Sequence, residues 1–186
     1  GAVVYDFDRD GALDFMLNGH AQAPIDRVYY RNGEAFVPSD FVFPRSADRH
    51  ACAADDVNVD GITDVYCTEG AVKGTGEGLN QLFLGESQGK FRLVTEDHGA
   101  LDPTARGRQV EFFRFNRDEY PDLYVTTWGP REDEALNENS VFLNQAGLFK
   151  RVPSPLTGKQ GQHCLNARDI NQDGLDDVLL CRPGSG

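Results

Sequence analysis

Asp56-Val-Asn58-Val-Asp60-Gly61-Ile-Thr-Asp64 decides the fold, because the chain writes this pattern four times. Two further copies are Asp6-Phe-Asp8-Arg-Asp10-Gly11-Ala-Leu-Asp14 and Asp169-Ile-Asn171-Gln-Asp173-Gly174-Leu-Asp-Asp177. A degenerate one reads Arg114-Phe-Asn116-Arg-Asp118-Glu119-Tyr-Pro-Asp122. The starts, at 6, 56, 114 and 169, lie 50, 58 and 55 residues apart. A nearly fixed period of this size marks a repeat architecture.

Working outward, each copy sits between two short apolar runs. Those before it are 2–5, 51–54, 110–113 and 164–167, and those after it are 15–17, 65–67, 123–126 and 178–181. A variable polar loop follows, then a third run at 28–30, 81–84 or 140–143. A tight turn leads to a fourth run opening at Phe36, Phe91 or Phe149. Short β-rich runs separated by turn residues read as antiparallel hairpins. Four strands per period of about 55 residues is the blade pattern of a β-propeller, so the expectation is an all-β fold over residues 1–186. The segment 131–139 is the best candidate for a helical turn inside a loop. At 186 residues the chain holds about 3.4 such repeats, whereas propellers close with about 4 to 8 blades. The expectation is therefore part of a larger ring, completed by further blades from the same or another chain.

The spacing also carries chemistry. Oxygens at positions 1, 3, 5 and 9, with Gly at 6 for the sharp turn, can wrap one hard cation such as Ca²⁺. The side-chain ligands would be Asp6, Asp8, Asp10 and Asp14; Asp56, Asn58, Asp60 and Asp64; and Asp169, Asn171, Asp173 and Asp177. The position-7 carbonyls of Ala12, Ile62 and Leu175 would complete each cage. Carboxylates this close repel one another unless a cation lies between them. The alternative is an Asx-rich turn with no metal. In the degenerate copy Arg114 replaces the first Asp and Glu119 the Gly. A guanidinium pairing there with Asp118 or Asp122 would stand in place of an ion. Three structural Ca²⁺ ions are expected, and none at Arg114.

These loops, each between two apolar strands, resemble the FG-GAP/VCBS repeats, and the hairpins 82–91 and 141–149 fit as well. The Phe-Gly and Gly-Ala-Pro tags of the family are poorly kept, which favours its VCBS-like branch. The resemblance implies calcium-stabilised blades of a secreted or surface propeller. Such propellers form integrin α heads and parts of many secreted microbial proteins. It also implies a role in adhesion, recognition or assembly on a protein or carbohydrate ligand.

The cysteines occupy related places. Cys52 stands four residues before its motif and Cys67 three after; Cys164 stands five before and Cys181 four after. Both pairs share one hairpin register, one step apart, and directly opposite residues come within disulfide range. Cys52–Cys67 and Cys164–Cys181 bridges are expected, against buried free thiols or a zinc site with His50 and His163. Disulfides imply an oxidising compartment.

His50 and His163 lie six residues before their motifs, and Arg108 holds the same place in the third repeat. At the start of the innermost strands they could bind an anion or a sugar, or simply satisfy local hydrogen bonds. Trp128 lies in a long loop, where recognition often resides. The net charge of −12 argues against nucleic acid, and no apolar run is long enough to span a membrane as a helix. Three Ca²⁺ ions would bring that charge to about −6, so the acidity reads as ligand supply. No G-x-S-x-G, H-E-x-x-H or phosphate-binding loop is present, so no enzyme is expected. The competing class is a secreted enzyme acting on polysaccharide, carried on or appended to the propeller.

Overall fold

The structure is a computed structural model, and it describes residues 1–19, 26–44, 48–70, 79–87, 89–102, 107–127, 139–153 and 164–181. Among these there are fourteen strands and no helix. Of the expected helical turn at 131–139, only Asn139 is described. Trp128 and His163 also lie outside the described residues.

Three four-stranded sheets have the sequential orders β1-β2-β3-β4, β5-β6-β7-β8 and β9-β10-β11-β12, and β13 pairs with β14 in a fourth. Every pairing is antiparallel, as up-and-down hairpins require. The first blade comprises β1 (Ala2–Tyr5), β2 (Asp14–Leu17), β3 (Arg27–Asn32) and β4 (Ala35–Pro38). The second comprises β5 (Arg49–Asp55), β6 (Asp64–Glu69), β7 (Gln81–Glu86) and β8 (Lys90–Leu93). The third comprises β9 (Gly107–Phe113), β10 (Asp122–Thr127), β11 (Ser140–Gln145) and β12 (Leu148–Val152). The fourth has β13 (Cys164–Arg168) and β14 (Asp177–Cys181). Strands β1, β5, β9 and β13 lie edge to edge in that order, so they are the inner strands of successive propeller blades.

Alternation along each strand gives every blade two apolar faces, and blades stack through them. Met16 and Val28 of the first blade pack with Val65 and Phe83 of the second. Tyr66 and Leu82 of the second pack with Leu123 and Phe142 of the third. Tyr124 and Val141 of the third then meet Val178 and Leu180 of the fourth. The same ladder position thus faces forward in each blade (Met16, Tyr66, Tyr124).

Two polar devices fix the frame. The residue before each third strand caps the end of the second strand. Asp26 accepts from Gly19 N at 2.8 Å, Asn80 from Glu69 N at 3.0 Å, and Asn139 from Thr127 N at 3.0 Å. Arg49, almost fully buried, joins the first two blades. Its guanidinium pairs with Asp26 and with Glu69 at 3.4 Å, donates to Gln81, and lies over the Phe83 ring. A buried guanidinium needs this many partners to offset its lost hydration.

Candidate metal centres

Each acidic loop is the turn between the inner strand and its neighbour. The three intact copies share one backbone conformation. Position 4 is left-handed at Arg9, Val59 and Gln172 (φ 59°, 58° and 63°), and so is position 6 at Gly11, Gly61 and Gly174 (φ 90°, 87° and 88°). Glycine takes that geometry without cost, whereas β-branched Val59 is held there at a strain of about 1–3 kcal/mol. The position-1 carboxylate does the holding. Asp6 accepts Asp10 N at 3.1 Å and Gly11 N at 2.9 Å. Asp56 accepts Asp60 N at 3.0 Å and Gly61 N at 2.9 Å. Asp169 accepts Asp173 N at 3.1 Å and Gly174 N at 2.9 Å. Position 5 then accepts the amide of position 7, at Ala12, Ile62 and Leu175.

The donor set suits a hard cation. Carboxylate oxygens of Asp6, Asp8 and Asp14 lie within 4.8 Å of one another with no positive side chain paired to them among the described residues. Loop 56–64 presents Asp56, Asn58, Asp60 and Asp64, and loop 169–177 the same types, all oxygen donors as Ca²⁺ prefers. Burial pushes the Asp64 carboxyl up to about 7 against the amides of Gly85 and Val57, and Asp60 and Asp56 push it the same way. Burial likewise raises Asp8, with Asp14, Asp10 and Asp6 adding repulsion. A divalent ion in such a cage would relieve both.

Position 9 has a second role that the spacing did not disclose. Asp14, Asp64 and Asp122 are buried, and each bridges its own loop to the third strand of its blade. Asp14 accepts Phe7 N and Arg31 N, and Asp64 accepts Val57 N and Gly85 N. Asp122 accepts Phe115 N and Asn144 N. This clasp survives in the degenerate copy.

That copy departs elsewhere. Neither Arg117 nor Glu119 is left-handed, and no position-1 carboxylate gathers the amides. The expected pairing of Arg114 with Asp118 or Asp122 is not made; Arg114 is exposed and joins no ion pair among the described residues. Its backbone is what is engaged: Arg114 N donates to Asp176 at 2.7 Å and its carbonyl accepts Asp176 N at 3.0 Å. The chain thereby stitches the third loop to the fourth. Arg114 lines one axial cavity together with Asp6, Asp56 and Asp169, the position-1 residues of the other three repeats.

Both disulfides form. Cys52 is opposite Cys67 and Cys164 opposite Cys181, with Cα separations of 4.1 and 5.1 Å. These are a narrow and a wide rung, as one step along an antiparallel ladder requires.

At the other end of the inner strands, His50 and Arg108 come together. Each is the extra residue of a bulge: Arg49 and Ala51 oppose Glu69 and Thr68, while Gly107 and Gln109 oppose Thr127 and Thr126. Bulges re-aim a side chain, and here Arg108 Nη1 lies 3.0 Å from His50 Nδ1 and 3.1 Å from Nε2, while Nε2 meets Asp48 at 3.0 Å. The amide beyond each bulge goes to a threonine: Ala51 N to Thr68 at 3.1 Å, Gln109 N to Thr126 at 3.0 Å. In the fourth blade the equivalent rung is Cys164–Cys181.

A family model described as an FG-GAP-like repeat matches residues 56–125, from the second acidic loop through the degenerate one into β10. No curated protein matches the chain.

Proposed function

We propose that this chain is an extracellular calcium-binding β-propeller module serving adhesion, recognition or structural assembly on a protein or carbohydrate ligand, without catalysing a reaction. The observation that carries the proposal is the shared conformation of loops 6–14, 56–64 and 169–177, absent from the copy lacking the first aspartate. Bound Ca²⁺ would neutralise the converging carboxylates and lock each turn. The residues to hold it are Asp6, Asp8, Asp10 and Asp14 and their equivalents in the other two loops, with the Ala12, Ile62 and Leu175 carbonyls. The poorly kept family tags favour the VCBS-like branch.

Two disulfides are compatible with a secreted or surface location, and no helix among the described residues is long and apolar enough to cross a membrane. The bulge pair His50 and Arg108 offers a polar recognition point at the mouth opposite the loops. Further blades, from this or another chain, are partners for the outer face of the first blade. Val4 and Phe36 are exposed there, whereas their equivalents Ala54 and Phe91 pack against a preceding blade.

The test is metal analysis with melting curves. Three calcium ions per chain, and a melting temperature that falls on chelation and returns with millimolar calcium, are expected. A chain that binds no calcium at 10 mM, a level roughly tenfold above the usual extracellular range, rejects the proposal.

A further inference from the structure

Two arginines reach out of their own repeat into the next one. Arg9 is position 4 of loop 6–14, and its Nη2 lies 3.0 Å from Asp56 Oδ2, the first candidate ligand of the following loop. That same oxygen accepts Gly61 N. Arg117 is position 4 of the degenerate loop, and its Nη2 donates to the Asp173 carbonyl at 2.8 Å, inside loop 169–177. Its Nε stands 4.0 Å from the point where a Cβ on Gly174 would sit. Position 4 is Val59 in the second loop and Gln172 in the fourth, so neither sends a cation onward. Among the described residues no guanidinium pairs with the carboxylates of loop 6–14.

We infer that Arg9 and Arg117 set the calcium affinity of the next blade's loop, an inference that rests on the metal assignment above. Without metal, the Arg9 guanidinium offsets the repulsion among its neighbour's carboxylates and the Arg117 guanidinium holds the Asp173 carbonyl, so each stabilises the empty loop. With metal, the same charge opposes the ion. Both effects weaken binding at loops 56–64 and 169–177. Loop 6–14, with four aspartates and no incoming arginine, binds tightest. Asn58 and Asn171, where loop 6–14 has Asp8, lower affinity in the same direction, since ligand charge tunes it. Substituting the arginines separates the two contributions.

The glycines at position 6 give a site-by-site readout, because each donates its amide to its own loop's first aspartate. Calcium titration of the ¹⁵N-labelled chain, followed at the Gly11, Gly61 and Gly174 amides, reports the three sites separately. In Arg9→Gln the Gly61 midpoint should fall about fivefold, the size of losing one exposed ion pair, while Gly11 and Gly174 stay put. Arg117→Gln should move Gly174 alone. The shift should shrink in high salt, which screens exposed charges. Lys150→Gln, the same charge change on the outer strand β12, should move none of the three. An unchanged or raised Gly61 midpoint in Arg9→Gln overturns the inference, and so does an equal shift at all three sites. If no glycine amide responds to calcium at all, the metal assignment itself fails, a result separate from the other two.

Discussion

Asp122 accepts the backbone N–H of Asn144 at 2.8 Å, tying a loop that has lost its first aspartate to the third strand of its blade. The other oxygen takes Phe115 N at 3.1 Å. This explains why the third repeat keeps its last carboxylate while Arg114 and Glu119 replace the residues that a cation would need. Position 9 belongs first to the blade and only second to a metal.

Asp122→Ala should therefore destabilise the chain by about 2–4 kcal/mol, the cost of stranding two buried amides. The loss should be the same with and without chelator, because no ion is assigned to that loop. Denaturant titration measures it, and a loss under roughly 0.5 kcal/mol would show that the clasp contributes little.

Two glycine substitutions separate conformation from space. Gly61 is left-handed with nothing within 4 Å of an added Cβ, so Gly61→Ala should cost only the backbone strain, about 1–2 kcal/mol. Gly85 is not left-handed, but an added Cβ would meet the Thr63 carbonyl at 2.3 Å. Gly85→Ala must push β7 away from its loop, at about 3 kcal/mol. Comparable losses in the two variants would contradict this ordering.

Non-reducing peptide mapping should find Cys52 joined to Cys67 and Cys164 to Cys181, with no cross-blade species. Loops of 15 and 17 residues imply that removing either bridge by paired serine substitution costs about 3 kcal/mol. Retention of full stability in either double variant would count against a structural role for that bridge.

Asp64 gives the pH dependence its sign. Its carboxyl is held at about 7 in the folded, metal-free chain, against about 3.9 when unfolded. Between those values the folded state binds more protons, so through this group metal-free stability falls as pH rises from about 4 to 7. Calcium needs the ionised carboxylate, so its stabilising increment should grow over the same interval. Melting temperatures with and without chelator, taken across that range, should diverge toward pH 7. Parallel curves would sink the prediction.

The blade architecture was legible because its signals are local. Alternation and turn residues lie within windows of about 15 residues and recur with the period, and the register of Cys52 with Cys67 follows from the offset that this pair shares with Cys164 and Cys181 relative to their motifs. What escaped depends on distant chain. Arg49 looks like a surface residue until Asp26, Glu69 and Gln81 close round it. The equal offset of His50 and Arg108 from their motifs was visible. The bulges that turn both inward were not, since a bulge exists only relative to the opposite strand. Arg114 was expected to look into its own loop. The neighbouring Asp176 claims its backbone instead, and no pattern inside one repeat reveals a contact made between two.

The two cystine rungs also decide how the chain answers a pull. The hairpin gates in the second and fourth blades are covalent, at Cys52–Cys67 and Cys164–Cys181, while the third is closed by a threonine hydrogen bond. Under tension a hydrogen-bonded hairpin can unzip and release its turn, whereas a cystine holds back the 15 or 17 residues it spans, roughly 50–60 Å of extended chain. The acidic turns 56–64 and 169–177 lie inside those locked spans, and 114–122 does not. An oxidised chain stretched between its ends should therefore lengthen in shorter steps than a reduced one, with two of its turns never leaving their loops.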